Sequence, residues 1–166
     1  MTRSISALLA AAVAIGALAQ ASGAFAASDK AFIKTAMEGD NAEVQMGKLA
    51  QQKGASQGVR DFGRMLEMDH GMHKDKDVAL AAKLGVKPTD DVPMMAKMDK
   101  HKLEGLSGVK FDHEFVKGMI KDHKKDIGEY EKQTKAHGVT AAFATETLPT
   151  LHKHLETAEG LQRAGG

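Results

Sequence analysis

Residues 110–162 read KFDHEFVKGMIKDHKKDIGEYEKQTKAHGVTAAFATETLPTLHKHLETAEGLQ. Phe115, Val116, Met119, Ile127 and Tyr130 recur at steps of three and four, and Leu148, Leu151, Leu155 and Leu161 do the same further on. This period predicts two amphipathic helices, about Lys110 to His137 and about Thr140 to Gln162. Gly138 lies between them, where a helix is weakest. His123 and His154 stand at nearly equal distances from that glycine. In an antiparallel helical hairpin, such residues lie at the same height.

Toward the N-terminus the arrangement repeats. Glu43 and His70 flank Gly54-Ala55-Ser56-Gln57-Gly58 symmetrically. One helix is predicted from about Ser28, a plausible N-cap, to Lys53, with Phe32, Ala36, Met46 and Ala50 on one face. A second runs from about Gln57 to Leu84, with Val59, Phe62, Leu66, Leu80 and Leu84 inward, and stops at Gly85. The linker Val86 to Pro93 contains Pro88 and Asp90-Asp91, and a short helix follows from Met94 to about Gly105. Pro149 is expected to kink the last helix or to start its main part. The expected fold is therefore all-α: a ferritin-like four-helix bundle of two antiparallel hairpins, with a short extra helix in the crossover connection.

Residues 1–26 begin with Arg3, continue as the apolar run Ala7–Ala19 and end in the small-x-small pattern Ala24-Phe25-Ala26. They read as a signal peptide, which leaves 27–166 as one domain and predicts a periplasmic location. The apolar run is shorter than the roughly 18–20 residues that span a bilayer. There are no cysteines, so neither a disulfide framework nor a lipid-anchored thiol is available. The 23 basic and 22 acidic residues nearly balance. Nucleic acid, which calls for a basic face, is not an expected partner, and no protein partner is indicated.

With about 100° of rotation per residue, Glu43, His70, His123 and His154 all fall within apolar stripes, whereas His152 turns outward. A buried carboxylate must be paired, hydrogen-bonded or metal-bound. Three imidazoles and a carboxylate at one level suit a single transition-metal ion: Zn, Fe, Mn, Ni or Cu. Asp40, Asp69 and Asp126 are near enough to accept hydrogen bonds from the ligating histidines. The alternative is a Glu–His hydrogen-bond network that stabilises the bundle without metal.

Glu67-Met68-Asp69-His70 also matches the Glu-x-x-His element of di-iron bundles. Glu67 lies at the edge of the inward face, however, and Ile120 and Leu151 occupy the corresponding positions before His123 and His154. A full di-iron site is not expected. Asp112 stands about 16 Å along the helix from His123, so it reads as a charge near a helix N-terminus. Met94, Met95 and Met98 with His101, and Met65, Met68 and Met72, are either adaptable core filler or soft copper donors. Exposure of the methionines in the linker helix would favour the second reading.

Ala42-Glu43-Val44, Met68-Asp69-His70, Phe111-Asp112 with Phe115-Val116, Met119-Ile120-Lys121-Asp122-His123, and Leu148-Pro149-Thr150-Leu151 with His154-Leu155 occur in that order. The set resembles a bacterial exported family, domain of unknown function 4142, often labelled outer-membrane or periplasmic protein. The resemblance spans about residues 29–162. It implies a ferritin-like helical bundle, and the family's recurrent Glu and His positions match Glu43, His70, His123 and His154. Phe115 departs from it, because the family often has Tyr there. No agreed activity comes with the resemblance, and the outer-membrane label does not imply a β-barrel, for the strand alternation is missing. A metal-binding protein of metal or oxidative-stress homeostasis is the leading expectation. A non-catalytic envelope-stress or protein-interaction module comes second and an enzyme last.

Overall fold

A computed structural model describes the backbone of residues 9–136 and 138–165, and the side chains of 28–136 and 138–165. The described residues form five helices and no strand: α1 (Leu9–Lys53), α2 (Gln57–Leu84), α3 (Met94–Glu104), α4 (Gly108–Thr134) and α5 (Val139–Arg163). The leader expected over residues 1–26 lies outside the residues whose side chains are described. Its backbone from Leu9 onward continues into α1, so Ser28 is within the helix and does not cap it. The alanine-rich run before it has high helix propensity and, despite Gly16 and Gly23, contains no proline to break it. None of the described helices is long and apolar enough to cross a membrane.

Local chemistry sets the other boundaries. Ser56 caps α2 by accepting a hydrogen bond from the Val59 amide at 3.2 Å. Gly85, with φ 66°, ends α2 in the left-handed region, and the Val86 amide reaches back to the Ala81 carbonyl at 2.8 Å. That pairing closes the helix as a Schellman motif. The linker to α3 is held across α1 by Asn41, whose amide donates to the carbonyls of Thr89 and Asp91, each at 3.0 Å. Helix α5 continues through Pro149 without a break.

Helix α1 packs chiefly on α2, and α4 chiefly on α5. Both pairs are antiparallel hairpins, as the cross-helix pairs Asp40–His70 and His123–His154 require. The first hairpin is drawn together at Gly47 and Gly63. A Cβ on Gly47 would lie 2.5 Å from the Gly63 carbonyl oxygen, and one on Gly63 would lie 2.6 Å from that of Gly47. Only glycine permits this approach, which lies just beyond the Asp40–His70 pair.

Each hairpin turn is latched by an aspartate from the other hairpin. Asp112 of α4 accepts from the amides of Ala55 at 2.8 Å and Ser56 at 2.7 Å. Asp29 of α1 accepts from the Val139 amide at 3.2 Å and from the Gln133 and Thr140 side chains. Asp112 thus does more than place charge in its own helix: its carboxylate satisfies donors of the α1–α2 turn, which an α2 N-terminus leaves free.

Two apolar clusters fill the interior. One contains Phe62, Leu66, Phe111, Phe115, Val116 and Met119; the other contains Ile33, Met37, Ala81, Ile127, Phe143 and Leu151. Phe111 and Phe115 stack with ring centres 5.8 Å apart and an interplanar angle of 7°. Burial of each such side chain contributes about 1.5–3 kcal/mol. Between the clusters, the four long helices place polar side chains: Asp40 and Glu43 on α1, His70 on α2, His123 on α4 and His154 on α5.

Candidate metal centre

Each of the four long helices contributes to this polar layer from within an apolar stripe. On α4, His123 is one turn from Met119 on one side and from Ile127 on the other. On α5, His154 is flanked by Leu151 and Ala158, and on α2 His70 follows Leu66. His70, His123 and His154 are 3%, 1% and 0% exposed. One nitrogen from each of the three lies within 4.8 Å of the others.

The outer hydrogen bonds determine which nitrogens face the centre. His123 Nδ1 contacts the Met119 carbonyl oxygen at 2.9 Å. A carbonyl only accepts, so Nδ1 carries the proton and Nε2 presents a lone pair. His154 Nε2 lies 2.9 Å from Asp69 Oδ2, and its Nδ1 lies 3.2 Å from His123 Nε2. Neutral His154 has one N–H and faces two acceptors. His70 Nδ1 stands 2.7 Å from Asp40 Oδ1, and its Nε2 is buried with no partner.

Burial keeps these rings neutral. It pushes His70 down to about 4, His154 down to about 4 and His123 down to about 3, with the neighbouring imidazoles adding to the effect on the last two. A proton shared as imidazolium is therefore unfavourable near neutral pH. Two nitrogens bound at about 2.0–2.1 Å to a tetrahedral ion stand roughly 3.3 Å apart. The 3.2 Å between His123 Nε2 and His154 Nδ1 matches that separation. With an ion there, His154 would donate Nε2–H to Asp69 and leave Nδ1 free as a ligand.

Of the four residues expected to converge, the structure brings together the three histidines. Glu43 is buried in the same layer but outside their cluster, and its Oε2 has no hydrogen-bond partner. Burial, followed by the charges of Asp126, Asp122 and Asp40, holds its carboxyl well above the usual range. Glu43 lines a cavity of about 620 Å³ between α1 and α4 together with Asp40, His70, Asp122, Asp126 and Tyr130. That cavity is a route from the surface to His70.

Asp40 and Asp69 take the outer positions expected of them, whereas the proton of His123 goes to a backbone carbonyl and Asp126 meets Lys125. Glu67 turns to Gln51 at 2.6 Å and Lys48 at 3.7 Å, away from the histidines. His152 is exposed, as its rotation predicts. Met68, Met72, Met94, Met95 and Met98 are exposed, so these five are not core filler.

Two residues of the layer escaped the sequence reading as candidates for chemistry. His73 and Asp77 are buried on the same face of α2 as His70. Their signal was the spacing 70, 73, 77, a polar continuation of the stripe between Leu66 and Ala81. Burial, then the Asp40 carboxylate beside it, pushes Asp77 up to about 9, and burial pushes Asp40 up to about 7.

Comparison with known proteins adds the following. No curated protein matches the chain. Among solved structures, the chain is similar to one titled "Crystal structure of DUF305 fragment from Deinococcus radiodurans", with a TM-score of 0.71 and 16% sequence identity, covering 81% of this chain and 95% of that one. At that identity the likeness concerns the fold alone. The sequence profile titled "Domain of unknown function (DUF4142)" matches residues 16–161, and the chain therefore belongs to that family.

Proposed function

We propose that this chain is an exported, periplasmic protein with a ferritin-like four-helix bundle, which binds a transition-metal ion through His70, His123 and His154. The observation that carries this reading is the convergence of imidazole lone pairs whose protons are committed elsewhere, two of them at the spacing of ligands on one tetrahedral ion. Glu43 is our choice for the fourth ligand, reached by a side-chain movement from its unpartnered position. Glu43 and His70 both line the cavity, by which an ion or water could reach them. The three nitrogen donors suit Zn, Fe, Mn, Ni or Cu, and the exposed methionines add soft donors that make Cu worth testing first. A role in metal or oxidative-stress homeostasis follows from an ion held so deeply, with binding ranked ahead of turnover.

The competing reading is a protein-interaction module in which the layer is purely structural. It is favoured by the hydrogen bonds Asp40–His70 and Asp69–His154 and the close His154–His123 contact, which already tie the four long helices together. The deciding experiment is elemental analysis of untagged protein from its native compartment, beside a His70→Ala/His123→Ala variant and a Glu43→Ala variant. Loss of one equivalent of a single metal in the double-histidine variant, with helix content unchanged, supports the metal site. Equal metal content in wild type and variant, before and after reloading, refutes it.

A further inference from the structure

Beyond the three-histidine centre, on the far side of His70, a second group of donors comes together. Asp40, His70 and His73 each present a ligand atom within 4.8 Å of the others. Asp77, one turn beyond His73 on α2, adjoins Asp40. Asp40, His73 and Asp77 are 4%, 7% and 0% exposed. Asp40 Oδ2, His73 Nδ1 and both oxygens of Asp77 have no hydrogen-bond partner.

Four orphaned polar atoms lie buried around Asp40 and demand an explanation, since an unpaired polar atom is costly to bury. A proton shared between Asp40 and Asp77 satisfies one oxygen of each. It leaves the second Asp77 oxygen and His73 Nδ1 unanswered. A cation bound by Asp40 and His73, with Asp77 drawn onto it from beside Asp40 by a side-chain movement, answers all of them.

We propose that Asp40, His73 and Asp77 form a second metal site, for a divalent first-row ion. Two carboxylates and one imidazole make a harder donor set than three imidazoles, which favours Mn(II), Fe(II), Co(II) or Zn(II) over Cu(I). Asp40 links the two centres. Its Oδ1 holds the Nδ1 proton of His70 while its Oδ2 is free to bind the second ion. Filling the second site draws charge from Asp40 and so changes the basicity of His70 toward the first. The second site's donors are otherwise separate, so it stands whether or not the three-histidine centre binds.

The test is Co(II) titration of the metal-stripped protein, followed by visible absorption and equilibrium dialysis. It compares wild type, Asp77→Asn, Asp77→Leu, His73→Gln and a His123→Ala/His154→Ala variant, each checked for helix content. The expected result is two equivalents for wild type and one for each of the other four, with different spectra for the two classes of variant. One equivalent in wild type, lost in Asp77→Asn but retained in His123→Ala/His154→Ala, upholds the second site and overturns the three-histidine reading. Uptake by Asp77→Asn, Asp77→Leu and His73→Gln equal to that of wild type overturns the second site, as does the absence of any Co(II) binding. Asp77→Asn preserves shape and Asp77→Leu removes a buried polar group, so at least one folded variant is expected.

Discussion

Replacing Asp77 with asparagine is expected to stabilise the metal-free protein while removing one of the two proposed metal sites. The Asp77 carboxyl moves from an ordinary 3.8 up to about 9 on folding, because it is fully buried beside Asp40. At pH 7 the folded chain must hold a proton there that the unfolded chain releases. The gap from 3.8 to 7 is roughly 3.2 pH units, and at about 1.36 kcal/mol per unit the penalty reaches at most about 4 kcal/mol. Asparagine has no such penalty but buries an amide that costs about 1–2 kcal/mol if imperfectly bonded. The net gain at pH 7 is therefore about 2–3 kcal/mol, or roughly 5–10 °C in Tm for a chain of this size.

The sign of the pH dependence follows from the raised value. Below the unfolded pKa of 3.8 both states hold the proton and the penalty vanishes; it grows as pH rises and levels off above about 9. Urea unfolding of wild type and Asp77→Asn in excess chelator should find the variant less stable by the amide cost of about 1–2 kcal/mol at pH 3.5, with the order reversing as pH rises to 7. Added Co(II) should then narrow or reverse the gap, because it stabilises only the form that binds it at this site. A gap that is independent of pH, or an Asp77→Asn protein less stable than wild type at pH 7 without metal, would refute the reasoning.

Three further outcomes are expected. Asp69→Asn weakens the hydrogen bond that orients His154, so chelator competition should show metal affinity at the three-histidine centre falling about 10–100-fold with the fold retained. Gly47→Val pushes a side chain into the Gly63 carbonyl and should cost about 1–3 kcal/mol in urea unfolding, whereas the same change at Gly39, where nothing approaches, should cost far less of that steric penalty. Asp112→Ala strips the partners from the amides of Ala55 and Ser56, and a loss of about 2–3 kcal/mol is expected; a loss below about 0.5 kcal/mol would show that solvent replaces the latch.

Much of this architecture is legible in the residues. The three-to-four spacing of apolar side chains marks the long helices, Gly85 marks the end of α2, and rotation about each axis separates His154 from His152. Equal distance from the turns places His123 level with His154, and Asp40 and Asp69 are readable as partners of histidines. The start of α1 is read less well, since a serine that suits a cap also fits within a helix when alanines precede it. Asp112 is misread for a different reason: its partners belong to a turn 56 and 57 residues away in the chain.

The sequence by itself determined five helices and most of their boundaries, the near-neutral charge, and which faces carry histidine, because each depends on neighbours within a turn or two. Only the tertiary structure decided that three imidazoles converge while Glu43 stands outside their cluster, and that Asp40 meets His70 and His73 with Asp77 beside it. A helical period fixes the direction of a side chain around its own axis. The separation between side chains on different helices depends on how closely and at what height those helices pack, and here that is set by the Gly47–Gly63 contact and the two aspartate latches.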